Sequence, residues 1–195
     1  LDKLFDLYLN ELLEWNQKFN LTAITDPAEI RVRHFQDSLS VLEALELKDQ
    51  QVVDIGPGAG FPGIPLKIVR PGIKLTLVEA TRKKVDFLNH LIKALELTDV
   101  AAVWGRAETV QKEKRYAGRF DVALARAVAK LPVLLEYSLP FLKPGGLFVA
   151  QKQAAVQAEI DAAQPVLKKL GGRLMDVKQT KVGGVPRSLI IFRRS

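Results

Sequence analysis

Gln51-Val52-Val53-Asp54-Ile55-Gly56-Pro57-Gly58-Ala59-Gly60 is the stretch that decides the fold of this chain. An apolar run, Val52 to Ile55, leads directly into glycines at alternate positions, Gly56, Gly58 and Gly60, and a helix-compatible segment follows. This pattern brings backbone close to a ligand at the carboxyl end of a strand, where an open α/β sheet builds its site. Glycine suits that turn because a Cβ would block the approach or forbid a positive φ. The next strand-like run, Lys74 to Val78, ends on Glu79, nineteen residues after Gly60. An acid at that place can accept hydrogen bonds from both hydroxyls of a ribose.

Two cofactor classes use this layout. Gly58, Gly60 and Gly63 fit the dinucleotide fingerprint G-x-G-x-x-G, which keeps an NAD-dependent oxidoreductase of Rossmann type open. Asp54 through Gly60 also reads Asp-x-Gly-x-Gly-x-Gly, which resembles motif I of the S-adenosylmethionine-dependent methyltransferases. There the turn lies under the methionine part of the cofactor and no pyrophosphate is bound. Pro57, Pro62 and Pro65 crowd the turn and leave fewer backbone N–H groups for a pyrophosphate cradle. A tight turn with no ligand is the plainest alternative, and the correctly spaced Glu79 argues against it.

The flanking sequence alternates strand and helix signals. Strands are predicted at 52–55, 73–79, 100–104, 120–125 and 146–151, with helices near 61–70, 82–96, 130–142 and 154–170. Alternation of this kind implies parallel pairing with right-handed crossovers. The last two strands, near 173–181 and 188–193, have no helix between them and are expected to form an antiparallel hairpin. That ending suits a methyltransferase better than a nicotinamide domain, which more often continues with another strand-helix unit. The predicted fold is therefore a class I S-adenosylmethionine-dependent methyltransferase fold. It is an α/β, Rossmann-like doubly wound sheet with a terminal antiparallel hairpin and N-terminal helices. Leu1, Leu4, Phe5, Tyr8, Leu12, Trp15 and Phe19 mark the first of those helices and read as core packing. Asp26, Pro27 and Glu29 announce a second, running to about Leu45. Residues 1–47 are expected to pack as an extension on a 50–195 core, giving one methyltransferase domain over 1–195.

Composition narrows the chemistry. The 195 residues contain no cysteine and two histidines, which excludes disulfides and thiolate catalysis and argues against a metal site. No run of about 18 apolar residues is present, so no membrane span is expected, and a cytoplasmic location is the default. The chain begins at Leu1 rather than methionine, so a short N-terminal piece is expected ahead of it. A net charge of +7 favours a polyanionic partner.

Absences also bear on the methyl acceptor. Cytosine C5 methylation needs a thiolate. Enzymes acting on exocyclic amino groups often carry Asn/Asp-Pro-Pro-aromatic after the fourth strand, whereas this chain has Ala123-Leu124-Ala125-Arg126-Ala127. An acceptor with a ready lone pair, such as guanine N7, needs no general base, and positioning supplies most of the rate. Arg126 can hold the cofactor carboxylate or a guanine O6/N7 edge; a salt bridge to Glu79 or Glu108 is the structural alternative. Glu108, after the third strand, can accept from an adenine amino group or stand as a surface acid at a helix start. Leu142-Lys143-Pro144-Gly145-Gly146 reads as a helix-stopping turn before the fifth strand.

Longer segments make the resemblance specific. These are Phe19-Asn20-Leu21-Thr22-Ala23, Arg33-His34-Phe35-Gln36-Asp37-Ser38-Leu39, Gly60-Phe61-Pro62-Gly63-Ile64-Pro65-Leu66, Thr81-Arg82-Lys83-Lys84 and Ala125-Arg126-Ala127. The chain resembles, over nearly its whole length, the bacterial small-subunit ribosomal RNA guanine-N7 methyltransferase family, long called glucose-inhibited division protein B. The resemblance implies methyl transfer from S-adenosyl-L-methionine to N7 of one guanine in 16S rRNA, with 16S rRNA or the small ribosomal subunit as partner; a monomer is the default expectation. It implies cofactor contacts at Gly56, Gly58, Phe61, Glu79, Ala80, Thr81, Ala107, Glu108 and Arg126, and substrate contacts at His34, Arg126, Lys152 and Arg187. The chain departs from the family at Gln151-Lys152-Gln153, usually Leu-Lys-Gly, and at Arg187-Ser188-Leu189, usually Arg-His-Leu. A non-catalytic protein that binds S-adenosylmethionine and RNA is a further alternative.

His34 can donate to a phosphate or base, orient a neighbour such as Asp37, or pack within its helix. Arg82, Lys83 and Lys84 begin a helix, where cations oppose the macrodipole; a nearby polyanion offsets that cost. Lys112, Lys114, Arg115 and Arg119 form a loop cluster that solvation alone explains, and Arg193-Arg194 reads as the start of a longer tail.

Overall fold

The computed structural model describes residues 1–195. Its strands are β1 (Gln51–Ile55), β2 (Lys74–Glu79), β3 (Val100–Trp104), β4 (Phe120–Arg126), β5 (Leu142–Gln153), β6 (Gly172–Val182) and β7 (Val185–Arg194). They form one sheet in the order β3-β2-β1-β4-β5-β7-β6. The first five pair in parallel, and β7 runs antiparallel to both β5 and β6. The order in which successive strands join the sheet reverses between β1 and β4, which pair in parallel. This is the switch point at which open α/β sheets bind ligands beyond their carboxyl ends.

Alternation along each strand divides the core between two faces. Val52, Leu75, Leu77, Leu124 and Val149 join one apolar cluster, whereas Val53, Ile55, Ala123, Ala125 and Phe148 join the other. The first face carries α1 (Asp2–Asn16), α5 (Gly63–Val69) and α6 (Arg82–Ala94). The second carries α7 (Ala107–Val110), α8 (Leu131–Ser138) and α9 (Gln157–Lys169). Burial explains why the last strand enters the sheet while its predecessor stays at the edge. Ser188 to Phe192 are all buried, as a strand covered on both faces requires, whereas β6 is largely exposed or half-buried.

Helix α1 buries Tyr8, Leu9 and Leu12. A fully buried leucine contributes about 1.5–3 kcal/mol, so Leu12 is one of its anchors. Tyr8 also reaches under the glycine turn, where its hydroxyl donates to the Ala59 carbonyl at 2.6 Å. The turn is built around that contact. Gly60 has φ of 103°, and a Cβ there would lie 2.5 Å from the Tyr8 oxygen.

The helix expected from Asp26 to about Leu45 is subdivided. Asp26 caps it by accepting the Glu29 N–H at 2.8 Å. Short α-helical pieces, α2 (Pro27–Ile30), α3 (Asp37–Leu39) and α4 (Val41–Ala44), flank a π-helical segment, Arg31–Gln36. Such π turns occur often at functional sites, and this one carries Arg33 and His34. The Leu142–Gly146 segment is not a separate turn. It is the bulged start of β5, where Phe120 pairs with Leu142 but Val122 pairs with Leu147.

Candidate active site

Two cavities open at the carboxyl edge of the sheet, and Ala127 lines both. Ala127 follows β4 with φ of 53°, a left-handed conformation that a non-glycine residue adopts at a cost. Val128 follows it and lies over the glycine turn, where a Cβ on Gly56 would come within 2.9 Å of it.

The first cavity, about 320 Å³, is lined by Gly56, Glu79, Ala80, Arg106, Ala107 and Glu108 among others. Glu79 organises its floor. One carboxylate oxygen accepts the Gly58 N–H at 3.0 Å and the other accepts the Thr81 N–H at 2.9 Å. The acid therefore fixes the glycine turn to the loop after β2. It is buried rather than at an exposed strand end, and each oxygen retains acceptor capacity for a ligand hydroxyl. Below the turn, Asp54 accepts the Gly63 N–H at 2.7 Å. Burial pushes its carboxyl well above the usual range, against the lowering effects of that N–H and of Arg126.

The second cavity, about 440 Å³, is lined by His34, Asp37, Arg126, Lys152, Glu159 and Arg187 among others. Its centre is Asp37, whose side chain is 7% exposed. One Asp37 oxygen accepts from Arg126 at 2.9 Å and the other from Arg187 at 3.0 Å. The same Arg126 donates to the Arg33 carbonyl at 3.1 Å and lies 5.0 Å from the Phe61 ring centroid. The salt bridge weighed as the structural alternative for Arg126 thus forms with Asp37, not with Glu79 or Glu108. The wall carries four cations, Arg33, Arg126, Lys152 and Arg187, against two carboxylates, Asp37 and Glu159. That excess suits an anionic ligand.

His34 is locked by its neighbours. Arginine only donates, so the contact of Arg126 Nη2 with His34 Nδ1 at 3.1 Å makes Nδ1 the acceptor. The network assigns the ring proton to Nε2, which donates to Thr22 Oγ1 at 2.8 Å. The ring stacks on Phe61 with centroids 4.5 Å apart. Burial, and secondarily Arg126, pushes the imidazole down from 6.5 to about 4, so His34 is neutral at pH 7. Between those values the unfolded chain holds a proton that the folded one lacks, so His34 costs stability as pH falls from 6.5 towards 4. Above pH 7 it contributes no pH dependence. In His34→Asn the melting temperature is expected to vary less steeply with pH across that window than in the wild type. Equal slopes in parallel thermal melts would refute this assignment.

The structure places the expected residues in three groups. Gly56, Glu79, Ala80, Ala107 and Glu108 line the first cavity. Gly58 and Thr81 touch it through Glu79. Phe61 is buried in an aromatic stack with His34 and Tyr8, its ring away from the lining of either cavity. All four expected substrate residues, His34, Arg126, Lys152 and Arg187, line the second cavity, and Arg126, expected at the cofactor as well, does not line the first, because Asp37 and the Arg33 carbonyl hold it on the other side of Ala127. Sequence reasoning treated Asp37 only as a neighbour that His34 could orient and assigned no role to Glu159. Asp37 stands four residues after Arg33, and that helical spacing was the available signal. Glu159 carried none, since its contacts come from distant elements. It accepts the Leu131 N–H at 2.8 Å and pairs with Lys152 at 2.9 Å, while Lys152 donates to the Ala129 carbonyl at 2.6 Å. Together they hold the loop that separates the cavities.

A seven-stranded sheet of this order, with a glycine turn after β1 and an acid at the end of β2, defines a class I methyltransferase fold. Solved structures agree at the level of fold. TrmN from Thermus thermophilus superposes with a TM-score of 0.64 at 16% identity, covering 84% of this chain and 53% of that one. M. jannaschii TYW2 in complex with AdoMet gives 0.63 at 19% identity, covering 82% and 77%. The family model for rRNA small subunit methyltransferase G matches residues 2–190, and the chain belongs to that family. Curated relatives named ribosomal RNA small subunit methyltransferase G include that of Thermoanaerobacter pseudethanolicus, 44% identical over 97% of this chain and 80% of its own length. Another, from Desulfitobacterium hafniense, is 46% identical over 98% and 80%. A third, from Caldanaerobacter subterraneus subsp. tengcongensis, is 48% identical over 91% and 74%.

Proposed function

We propose that the chain transfers the methyl group of S-adenosyl-L-methionine to N7 of a guanine in 16S ribosomal RNA. The observation that carries this reading is the meeting of the two cavities at Ala127, one with a buried acid under a glycine turn and the other ringed by cations. Membership of the rRNA small subunit methyltransferase G family supports it. The enzyme is read as a single domain over residues 1–195, monomeric and cytoplasmic. No helix is long and apolar enough to cross a membrane.

The first cavity fits the cofactor. Gly56 presents no side chain, Glu79 offers acceptors for ribose hydroxyls, and Ala107 and Glu108 offer a small wall and an acceptor for an amino group. Bound there, S-adenosylmethionine supplies a methyl group activated by its sulfonium. Arg126 and Arg187, aligned by Asp37, hold the anionic substrate in the second cavity, with Lys152 beside them. No residue needs to remove a proton, because guanine N7 presents a lone pair at neutral pH. His34 suits this scheme, since both ring nitrogens are engaged and it serves to orient Arg126. Catalysis then rests on positioning.

Two measurements test the reading. S-adenosylmethionine at 100 times its Kd is expected to stabilise the fold by about 2.7 kcal/mol, raising the Tm, whereas NAD leaves it unchanged. Labelled S-adenosylmethionine is expected to mark a single guanine when 16S rRNA or small subunits are supplied. Stabilisation by NAD alone would return the oxidoreductase reading. Cofactor binding without transfer to any RNA would leave a binding protein.

A further inference from the structure

We propose that Trp104, with Arg82, Lys84 and Arg106 around it, is a stacking platform for an unpaired nucleotide of the RNA substrate, outside the cavity that takes the methylated base. This rests on the reading of ribosomal RNA as substrate. Trp104 ends β3 and is 59% exposed, the one aromatic among the large exposed apolar side chains. Its ring is nevertheless held in place. The indole N–H donates to the Ala80 carbonyl at 3.1 Å, and the Arg82 guanidinium lies 5.0 Å from the ring centroid. An anchored aromatic surface open to solvent is what a nucleobase stacks on, independently of base identity.

The charge around the ring selects a nucleic acid over an apolar partner. Lys84 and Arg106 line the neighbouring cavity, and neither forms an ion pair within the protein. The carboxylates nearby are Asp86, already paired with Arg82 at 3.3 Å, and Glu79 and Glu108 inside the cavity, of which Glu79 is buried and accepts from the Gly58 and Thr81 N–H groups. The location also fits. Trp104 at the end of β3 and Arg126 at the end of β4 are separated by three strand spacings along the same sheet edge, about 14 Å. That is roughly four nucleotides stacked at 3.4 Å, so one RNA strand reaches both. Duplex RNA offers no exposed base face to the ring, which makes a single-stranded segment the occupant.

The test measures binding of unmethylated 16S rRNA transcript, and of small subunits, at one fixed salt concentration. Trp104→Ala and Trp104→Leu are expected to bind the transcript roughly 5- to 150-fold more weakly, and Trp104→Phe to retain most of the affinity. The Kd for S-adenosylmethionine and the Tm are expected to stay at wild-type values in all three. In Trp15→Phe, where Trp104 is the remaining tryptophan, the transcript is expected to quench its fluorescence. Wild-type affinity in Trp104→Ala overturns the proposal. So does Trp104→Leu matching Trp104→Phe, which indicates a generic apolar contact. An effect confined to small subunits assigns Trp104 to a ribosomal protein, and an equal loss of cofactor affinity assigns it to the cofactor site; either result also overturns the proposal. Binding is read without methyl transfer, so an enzyme that binds RNA through Trp104 but methylates none would refute the proposed function alone.

Discussion

Asp37→Ala is expected to lower stability by about 3–5 kcal/mol, the cost of breaking a buried ion pair by removing one partner, and to abolish methyl transfer. Asp37 is the shared acceptor of Arg126 and Arg187, which are 13% and 20% exposed at their side chains. Without it two guanidinium groups face each other in a partly desolvated cavity. Arg126 also donates to His34, and His34 to Thr22, so the whole wall loses its reference point. Asp37→Asn preserves the shape and one acceptor but not the charge, and an intermediate loss is expected. Urea unfolding at pH 7, with methyl incorporation into 16S rRNA measured alongside, decides the matter. Stability within 1 kcal/mol of wild type in Asp37→Ala would show that the cluster does not hold the arginines in place.

Glu79→Ala is expected to weaken S-adenosylmethionine binding by about 1–3 kcal/mol, through loss of a charged acceptor for the ribose. Because Glu79 is buried and accepts from both Gly58 and Thr81, the alanine variant also leaves those N–H groups without their partner. A further stability loss of about 1–3 kcal/mol follows. Glu79→Gln separates the two effects. Its carbonyl restores one acceptor and much of the fold, while the charge towards the ribose stays absent. Calorimetric titration with S-adenosylmethionine, paired with thermal melts, measures both. Unaltered cofactor affinity in a folded Glu79→Ala protein would remove the acid from the binding site.

Much of the fold was legible because its signals are local. Val52 to Ile55 and the alternate glycines fall within ten residues, and the alternation of strands with helices fixed parallel pairing for β1 to β5. The strand near 188–193 was expected only as one arm of a terminal hairpin; its burial on both faces and its place between β5 and β6 came from the structure. The π-helical segment around His34 was not legible, since its α-helical and π-helical forms share one side-chain pattern over so few turns. Spacing and resemblance named the residues expected at the cofactor site, yet not their surroundings. Phe61 gave no sign that it stacks beneath His34, and Glu79 gave none that it holds the glycine turn.

The sequence by itself determined the sheet class, the turn after β1, the acid after β2 and the basic character of the chain. Each depends on residues close together along the chain, where backbone periodicity and turn chemistry dictate the outcome. Only the tertiary structure decided that Arg126 pairs with Asp37 rather than Glu79 or Glu108, that Glu159 and Lys152 tether the loop between the cavities, and that Trp104 remains exposed. Those facts join positions 89 and 28 residues apart, or depend on what fails to cover a side chain. Their physical basis is the desolvation and pairing of charges brought together by the sheet, which no local pattern encodes.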